Sequence, residues 1–247
     1  METPAVHISQ LSFGYPGNDN YTFNNLALNI GAGDRFGLFG PNGAGKTTLM
    51  SIMTGLLQPK SGTVELLGNP LSDDAATKKL FGLVPQDFSF YHELTPVENL
   101  EFFGAWAGLG KAEIRSRTRE LLDVLGLADV RNKQVKLFSG GMKRRVNLAL
   151  GVIHQPKILF LDEPTVGVDV QTRNAIVEYL LKLNEQGTTL VYTSHQLNEA
   201  QELCNNLAMI DGGKIVANGT MDNLLAQYQQ ADLENLFLHL TGHDYRD

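Results

Sequence analysis

The stretch "GLFGPNGAGKTTL", residues 37–49, sets a run of glycines and a proline beside one lysine and two threonine hydroxyls. It follows the short apolar segment "RFGLFG" (35–40) and leads into "KTTLMSIMTGLL" (46–57), which reads as a strand, a loop and a helix in that order. A loop this rich in glycine packs poorly and wraps well, because glycine lets successive backbone N–H groups turn inward without a Cβ clash. The start of the helix adds partial positive charge. Gly40-x4-Gly45-Lys46-Thr47 has the full spacing of a phosphate-binding loop. Lys46 can reach the β- and γ-phosphates as a point charge, and the Thr47 hydroxyl can ligate Mg²⁺. Gly40, Pro41, Asn42, Gly43, Ala44, Gly45, Lys46, Thr47 and Thr48 are therefore candidate ligands of a nucleoside triphosphate. The bland alternative, a tight glycine-rich turn, is outweighed by Gly, Lys and Thr falling together between a strand and a helix.

The flanking chain sets the fold class. "VHISQLSFGY" (6–15) and "FNNLALNI" (23–30) alternate apolar and polar residues, as half-buried antiparallel strands do. "GTVELLG" (62–68), "LFGLVPQ" (80–86), "KILFLDEP" (157–164) and "TTLVYTSH" (188–195) read as further strands. "RNAIVEYLLKLNEQG" (173–187) reads as a helix closed by Gly187, and helical periodicity runs from about 87 to 150. Strands alternating with helices imply an α/β class with a mainly parallel sheet. The expectation is a phosphate-loop NTPase core with an antiparallel β flank and an inserted helical subdomain at about 87–150. All 247 residues then form a single nucleotide-binding domain, with a short helical tail at about 221–247.

Composition narrows the company such a domain keeps. A net charge of −7 gives no nucleic-acid footprint, and one cysteine, Cys204, fits a reducing compartment. No secretory signal is visible after Met1, and no apolar stretch reaches the ~18 residues of a membrane span. A cytoplasmic protein that docks on a membrane partner is compatible with all of this.

A phosphate loop does not choose between kinase, GTPase and ATPase. Guanine is read through Asn-Lys-x-Asp, and here Asn132-Lys133 is followed by Gln134 and Val135, without the carboxylate. "ILFLDEPT" (158–165) is more telling: a buried apolar strand whose tip carries two adjacent carboxylates, where open α/β sheets bind ligands. Asp162 suits Mg²⁺ coordination, and Glu163 is placed to polarise an attacking water. Hydrolysis outranks a simple helix cap for this pair.

"LFSGGMKRRVNLAL" (137–150) resembles the signature motif of ATP-binding cassette (ABC) ATPases, usually Leu-Ser-Gly-Gly-Gln, with Phe138 and Met142 at the ends. Ser139, Gly140 and Gly141 would present a hydroxyl and N–H groups at a helix start, a second phosphate site. The resemblance extends along the chain. It implies that Tyr15 stacks on adenine, that Gln86 senses the γ-phosphate and Mg²⁺, that Asp169 crosses a dimer interface, and that His195 contacts the γ-phosphate. It also implies a head-to-tail dimer with two ATP molecules, each held between the loop of one subunit and the signature of the other.

"SGGMKRR" and the tail "LENLFLHLTG" (233–242) resemble the drug, polysaccharide and lipid exporter branch, whose ATPases serve ABC-2-type permeases. The implied function is export powered by ATP binding and hydrolysis, through a separate membrane permease, from the cytoplasmic face. A soluble single-cassette ATPase of an assembly or repair process, or an importer subunit, remains the alternative. Leu233, Leu236, Phe237 and Leu240 form a stripe that would pack on the chain itself, and His239 with His243 reads as a solvated pair. In "DFSFYHELTPVENLEFFGAW" (87–106), Phe102, Phe103 and Trp106 are expected in the core. Phe88, Phe90 and Tyr91 are expected on a loop that docks the permease.

Overall fold

Why the first strand can bury both of its apolar pairs is explained by a bulge. The computed structural model describes residues 3–17, 22–194 and 202–242. In β1 (Val6–Phe13), Val6, Ile8, Leu11 and Phe13 are all buried, although strict alternation breaks between Ile8 and Leu11. Gln10 adopts φ +50°, and the pairing with β2 (Phe23–Ile30) shifts register between Ile8 and Leu11. One extra residue restores the phase, which is what a β-bulge does.

Further along the chain come β3 (Arg35–Phe39), α1 (Lys46–Met53), β4 (Ser61–Leu66), β5 (Asn69–Pro70) and α2 (Ala75–Leu80). Then follow β6 (Phe81–Val84), α3 (Pro96–Trp106), α4 (Lys111–Val124), α5 (Gly140–Val152), β7 (Ile158–Asp162) and α6 (Val170–Glu185). Short 3-10 turns at Ala128–Val130 and Val135–Leu137 separate α4 from α5. The described chain closes with β8 (Thr189–Ser194), β9 (Asn206–Asp211), β10 (Lys214–Thr220), α7 (Met221–Tyr228) and α8 (Leu233–Thr241).

Two compact units divide these elements. The first comprises Met1–Lys78 and Thr189–Asp247. It holds an antiparallel sheet of order β2-β1-β4-β5, and a run β10-β9-β3-β8 in which β3 pairs parallel with both β8 and β9. β3 therefore lies between two parallel neighbours, buried along most of its length. The second unit is Lys79–Thr188. In it β6 pairs parallel with β7, and every residue of β7 is buried. Parallel strands and an antiparallel sheet coexist, as the α/β reading requires.

Caps account for where the helices stop and start. The helix expected over 46–57 ends at Met53, because Gly55 takes φ +75°, the left-handed turn that terminates helices. The helix expected over 173–187 begins three residues earlier, at Val170. Asp169 caps it by accepting hydrogen bonds from the Thr172 backbone N–H and hydroxyl, at 2.9 and 2.8 Å. Thr95 and Glu98 form a reciprocal capping box on α3. At the far end of α5, buried Arg117 donates from Nη2 to Val152 O at 3.3 Å and from Nε to Ile153 O at 3.4 Å. This cation at a helix C-terminus satisfies carbonyls that have no intrahelical partner.

The aromatic residues of α3 reverse the expectation. Its buried face is Pro96, Asn99, Leu100 and Gly104. A Cβ on Gly104 would come within 2.9 Å of Ile114 Cγ1 and 3.3 Å of Ile153 Cδ1, so the glycine permits close packing inside the unit. Phe102 and Trp106, expected in the core, are instead 47% and 73% exposed, while Phe103 is half-buried. Phe90, expected on the docking loop, is 7% exposed and packs against Phe88 and His92. Tyr91 is exposed as expected. In the tail, Leu233, Leu236 and Phe237 are buried, Leu240 is partly so, and His239 is exposed; His243 lies outside the described residues.

Candidate functional site

In the first unit, the apolar strand β3 delivers the chain to the glycine loop at full burial, and α1 begins at Lys46. Gly45 takes φ +108°, and a Cβ there would sit 2.8 Å from the Phe23 ring, so only glycine serves. The start of α1 carries no side-chain cap and no acidic residue in its first turn, an arrangement that favours an external anion. Lys46 is buried, and its Nζ donates to the Gly40 and Pro41 carbonyls at 2.7 and 3.1 Å. The loop thus folds over its own lysine, which keeps the ammonium inside the curl. Tyr15, 45% exposed and edge-on to Phe13, shares a 2.9 Å hydrogen bond with the Thr48 hydroxyl. An exposed aromatic ring tethered to the phosphate loop suits contact with a flat base. The loop residues, Tyr15 and Thr48 therefore share one neighbourhood, as the sequence suggests.

In the second unit, β7 ends in Asp162, and Glu163 follows with φ +48°. Both carboxylates are at least nine-tenths buried. The Gln86 amide Nε2 donates to Glu163 Oε2 at 3.2 Å, which joins two residues distant in sequence. Val166 N–H donates to the Glu163 carbonyl at 3.3 Å, closing the turn after the strand. A left-handed glutamate is costly, by about 1–3 kcal/mol, and such strain gathers at functional sites.

Ser139 caps α5 by accepting from Met142 N–H at 3.3 Å, which leaves its own hydroxyl proton free to donate to a phosphate. Ser139 and Gly140 are exposed, and Gly141 is partly so. Phe138, where the motif usually has leucine, is 6% exposed and fills the same apolar role. Asp169 is exposed. Its carboxyl lies below the usual range, chiefly because Thr172 N–H bonds to it, so it is ionised at neutral pH. His195 lies outside the described residues.

Arg144, which sequence motifs alone do not single out, lies three residues before buried Asn147 on the same helical face. It is 6% exposed and donates to the Gln86 carbonyl at 2.8 Å and the Val166 carbonyl at 3.4 Å. Burial draws its guanidinium below the usual value, opposed by the charges of Asp87 and Glu163.

Residues 23–166 match the sequence profile of the family described as ABC transporter. The chain belongs to the ABC transporter family. Among its relatives, the linearmycin resistance ATP-binding protein LnrL of Bacillus subtilis is 41% identical over 203 residues, 82% of this chain and 65% of LnrL. The daunorubicin/doxorubicin resistance ATP-binding protein DrrA of Streptomyces peucetius is 36% identical over 98% of this ABC chain and 72% of its own length. A Nod factor export ATP-binding protein I of Cupriavidus metallidurans is 40% identical over 84% of this chain and 69% of its own. The chain thus spans about two thirds of the length of these relatives. Among solved structures, an ATP-binding subunit of an ABC transporter superposes with TM-score 0.88 at 28% identity, over 96% of this chain and 99% of that one. A dimeric ATP-binding cassette in a post-hydrolysis state, bound to ADP and Pi, gives TM-score 0.79 at 28% identity, over 87% and 98%. No helix among the described residues of this ABC protein is long and apolar enough to cross a membrane.

Proposed function

We propose that this chain is the ATP-binding and ATP-hydrolysing subunit of an exporter, working as a dimer beneath a separate membrane permease. The carrying observation is the buried Glu163 carboxylate just after β7, accepting from the Gln86 amide, in a chain that also holds a curled, glycine-built phosphate loop. In this reading Lys46, Gly40, Pro41, Asn42, Gly43, Ala44, Gly45, Thr47 and Thr48 bind the triphosphate, and Tyr15 stacks on the adenine. Thr47, Gln86 and Asp162 hold Mg²⁺, which would neutralise charge developing on the phosphates. Glu163 polarises the attacking water, oriented by Gln86, and His195 supports the γ-phosphate. Ser139, Gly140, Gly141 and Asp169 serve the partner's nucleotide.

Export rather than another use of the cassette is supported by the printed functions of the relatives, resistance to linearmycin and daunorubicin and export of Nod factor. For the permease we propose the exposed ring cluster of the second unit. Tyr91 meets Phe102 edge-on at 5.0 Å between ring centroids, and Trp106 lies one turn beyond Phe102. Buried Asn99 fixes this surface, accepting from Tyr91 N–H at 2.9 Å and donating to the Tyr91 and Thr95 carbonyls at 3.0 Å. A preformed aromatic face loses little entropy on docking. Phe90 is excluded from it by burial.

Glu163→Gln preserves shape and the contact with Gln86 while removing the charge. With Mg²⁺ present, phosphate release should fall by roughly 10²–10⁴-fold, the usual contribution of a positioned base, with ATP affinity nearly unchanged. Turnover by Glu163→Gln at the wild-type rate would remove Glu163 from the role.

A further inference from the structure

We propose that Arg144 is a positioning residue for hydrolysis, locking the Gln86 loop to the turn that follows Glu163. This rests on the hydrolytic reading of Glu163. A closed ring of hydrogen bonds surrounds that residue. Arg144 Nη1 donates to Gln86 O at 2.8 Å, Gln86 Nε2 donates to Glu163 Oε2 at 3.2 Å, Val166 N–H donates to Glu163 O at 3.3 Å, and Arg144 Nη2 donates to Val166 O at 3.4 Å. One guanidinium therefore holds the backbone on both sides of the carboxylate. The Phe88 ring lies beneath it, 5.0 Å from centroid to guanidinium carbon.

Burying a cation here is expensive, and Nε is buried without a hydrogen-bond partner among the described residues. An apolar side chain of the same volume would serve packing as well or better. What the arginine adds is a rigid planar fork whose two Nη groups reach two separate carbonyls, where lysine would offer a single donor atom on a flexible stem. The loop does not depend on it for folding. Asn147 donates to Pro85 O at 3.0 Å and accepts from Ser89 N–H at 3.3 Å, so residues on both sides of Gln86 have a second anchor on α5. Arg144 thus governs where the Gln86 side chain and Glu163 meet, and Asn147 governs whether the loop is there.

The proposal also relates Phe88 to the carboxylate. A ring that holds the guanidinium in place is part of the same fork, so moving the ring moves both carbonyl bonds.

The test uses the full chain with ATP and Mg²⁺. Arg144→Lys keeps the charge and loses the fork. Its kcat should fall on the order of tenfold to a hundredfold, since misplacing a catalytic group by an ångström costs that much. KM for ATP and the thermal midpoint should stay close to wild type. Combined with Gln86→Ala, Arg144→Lys should add nothing further, because it acts through Gln86. Should Arg144→Lys fold poorly, Phe88→Leu decides: it removes the ring and should lower kcat in the same direction with KM unchanged. Wild-type kcat in Arg144→Lys, or independent multiplication of its effect with that of Gln86→Ala, would overturn the positioning role. A wild-type chain that releases no phosphate would overturn the hydrolytic reading itself, and this proposal with it.

Discussion

Glu163 occupies a backbone conformation that glutamate avoids, at φ +48°, with its carboxylate buried against Gln86. Stability and chemistry are opposed at this residue. Replacement by glycine relieves the left-handed strain, while losing the hydrogen bond from Gln86 and the charge. Glu163→Gly should therefore unfold within about 1 kcal/mol of wild type, or above it, in chemical denaturation while releasing no phosphate. A loss of several kcal/mol would show that the carboxylate is structural. The candidacy of this position was legible in the sequence because four apolar residues run straight into two acids. Its strain was not legible, since φ depends on the turn that Val166 closes and not on glutamate itself. Arg144 was hidden for a related reason: a basic run looks like a solvated face until the fold brings carbonyls to it.

Among the elements, α3 shows how a helix can be amphipathic with its large residues outside. Adjacent Phe102 and Phe103 leave the helical phase ambiguous, and the buried face is made by asparagine, leucine and glycine. A sequence reading that sends aromatic mass inward misplaces the face for that reason. The outcome separates two substitutions. Phe90→Ala, in the packed interior, should cost about 3–5 kcal/mol and lower the thermal midpoint, whereas Trp106→Asp should stay within about 0.5 kcal/mol and weaken co-purification with the permease. Equal stability of the two variants would contradict the burial pattern. The capping box of α3 carries a pH signature as well. Glu98 is held below the usual glutamate range, chiefly by accepting from Thr95 N–H. A carboxylate depressed in the folded state stabilises above its unfolded value, and that contribution is lost as pH falls through the lowered folded value. Glu98→Gln should therefore flatten the acid limb of the stability curve and leave neutral-pH slopes alone, measured by denaturation between mildly acidic and neutral pH. An acid limb as steep as wild type would show that the box does not hold. By contrast β1 and β2 were readable from alternation, and the bulge at Gln10 explains why one break in the pattern did no harm. The hairpin of β9 and β10 went unread, although Asp211-Gly212-Gly213 between two strand-like runs is a recognised turn signal.

At the scale of the whole molecule, the proposed function gives the cassette two phosphate-binding elements, the loop before α1 and the start of α5, on opposite sides of a shared nucleotide. That arrangement needs a second copy, or a paired cassette, and the similar dimeric structure bound to ADP and Pi supports it. The parallel order around β3 depends on strands far apart in sequence, which local periodicity cannot rank, whereas the motifs themselves were plain because each is short and chemically constrained. If ATP joins two subunits and hydrolysis parts them, a chain that binds ATP and cannot hydrolyse it should stay joined. The direct measurement is the molar mass of Glu163→Gln in size-exclusion chromatography with light scattering, with and without ATP and Mg²⁺. The account predicts a monomer without nucleotide and a dimer with it, while wild type returns to monomer as ATP is consumed. A Glu163→Gln chain that binds ATP and elutes only as monomer would contradict it.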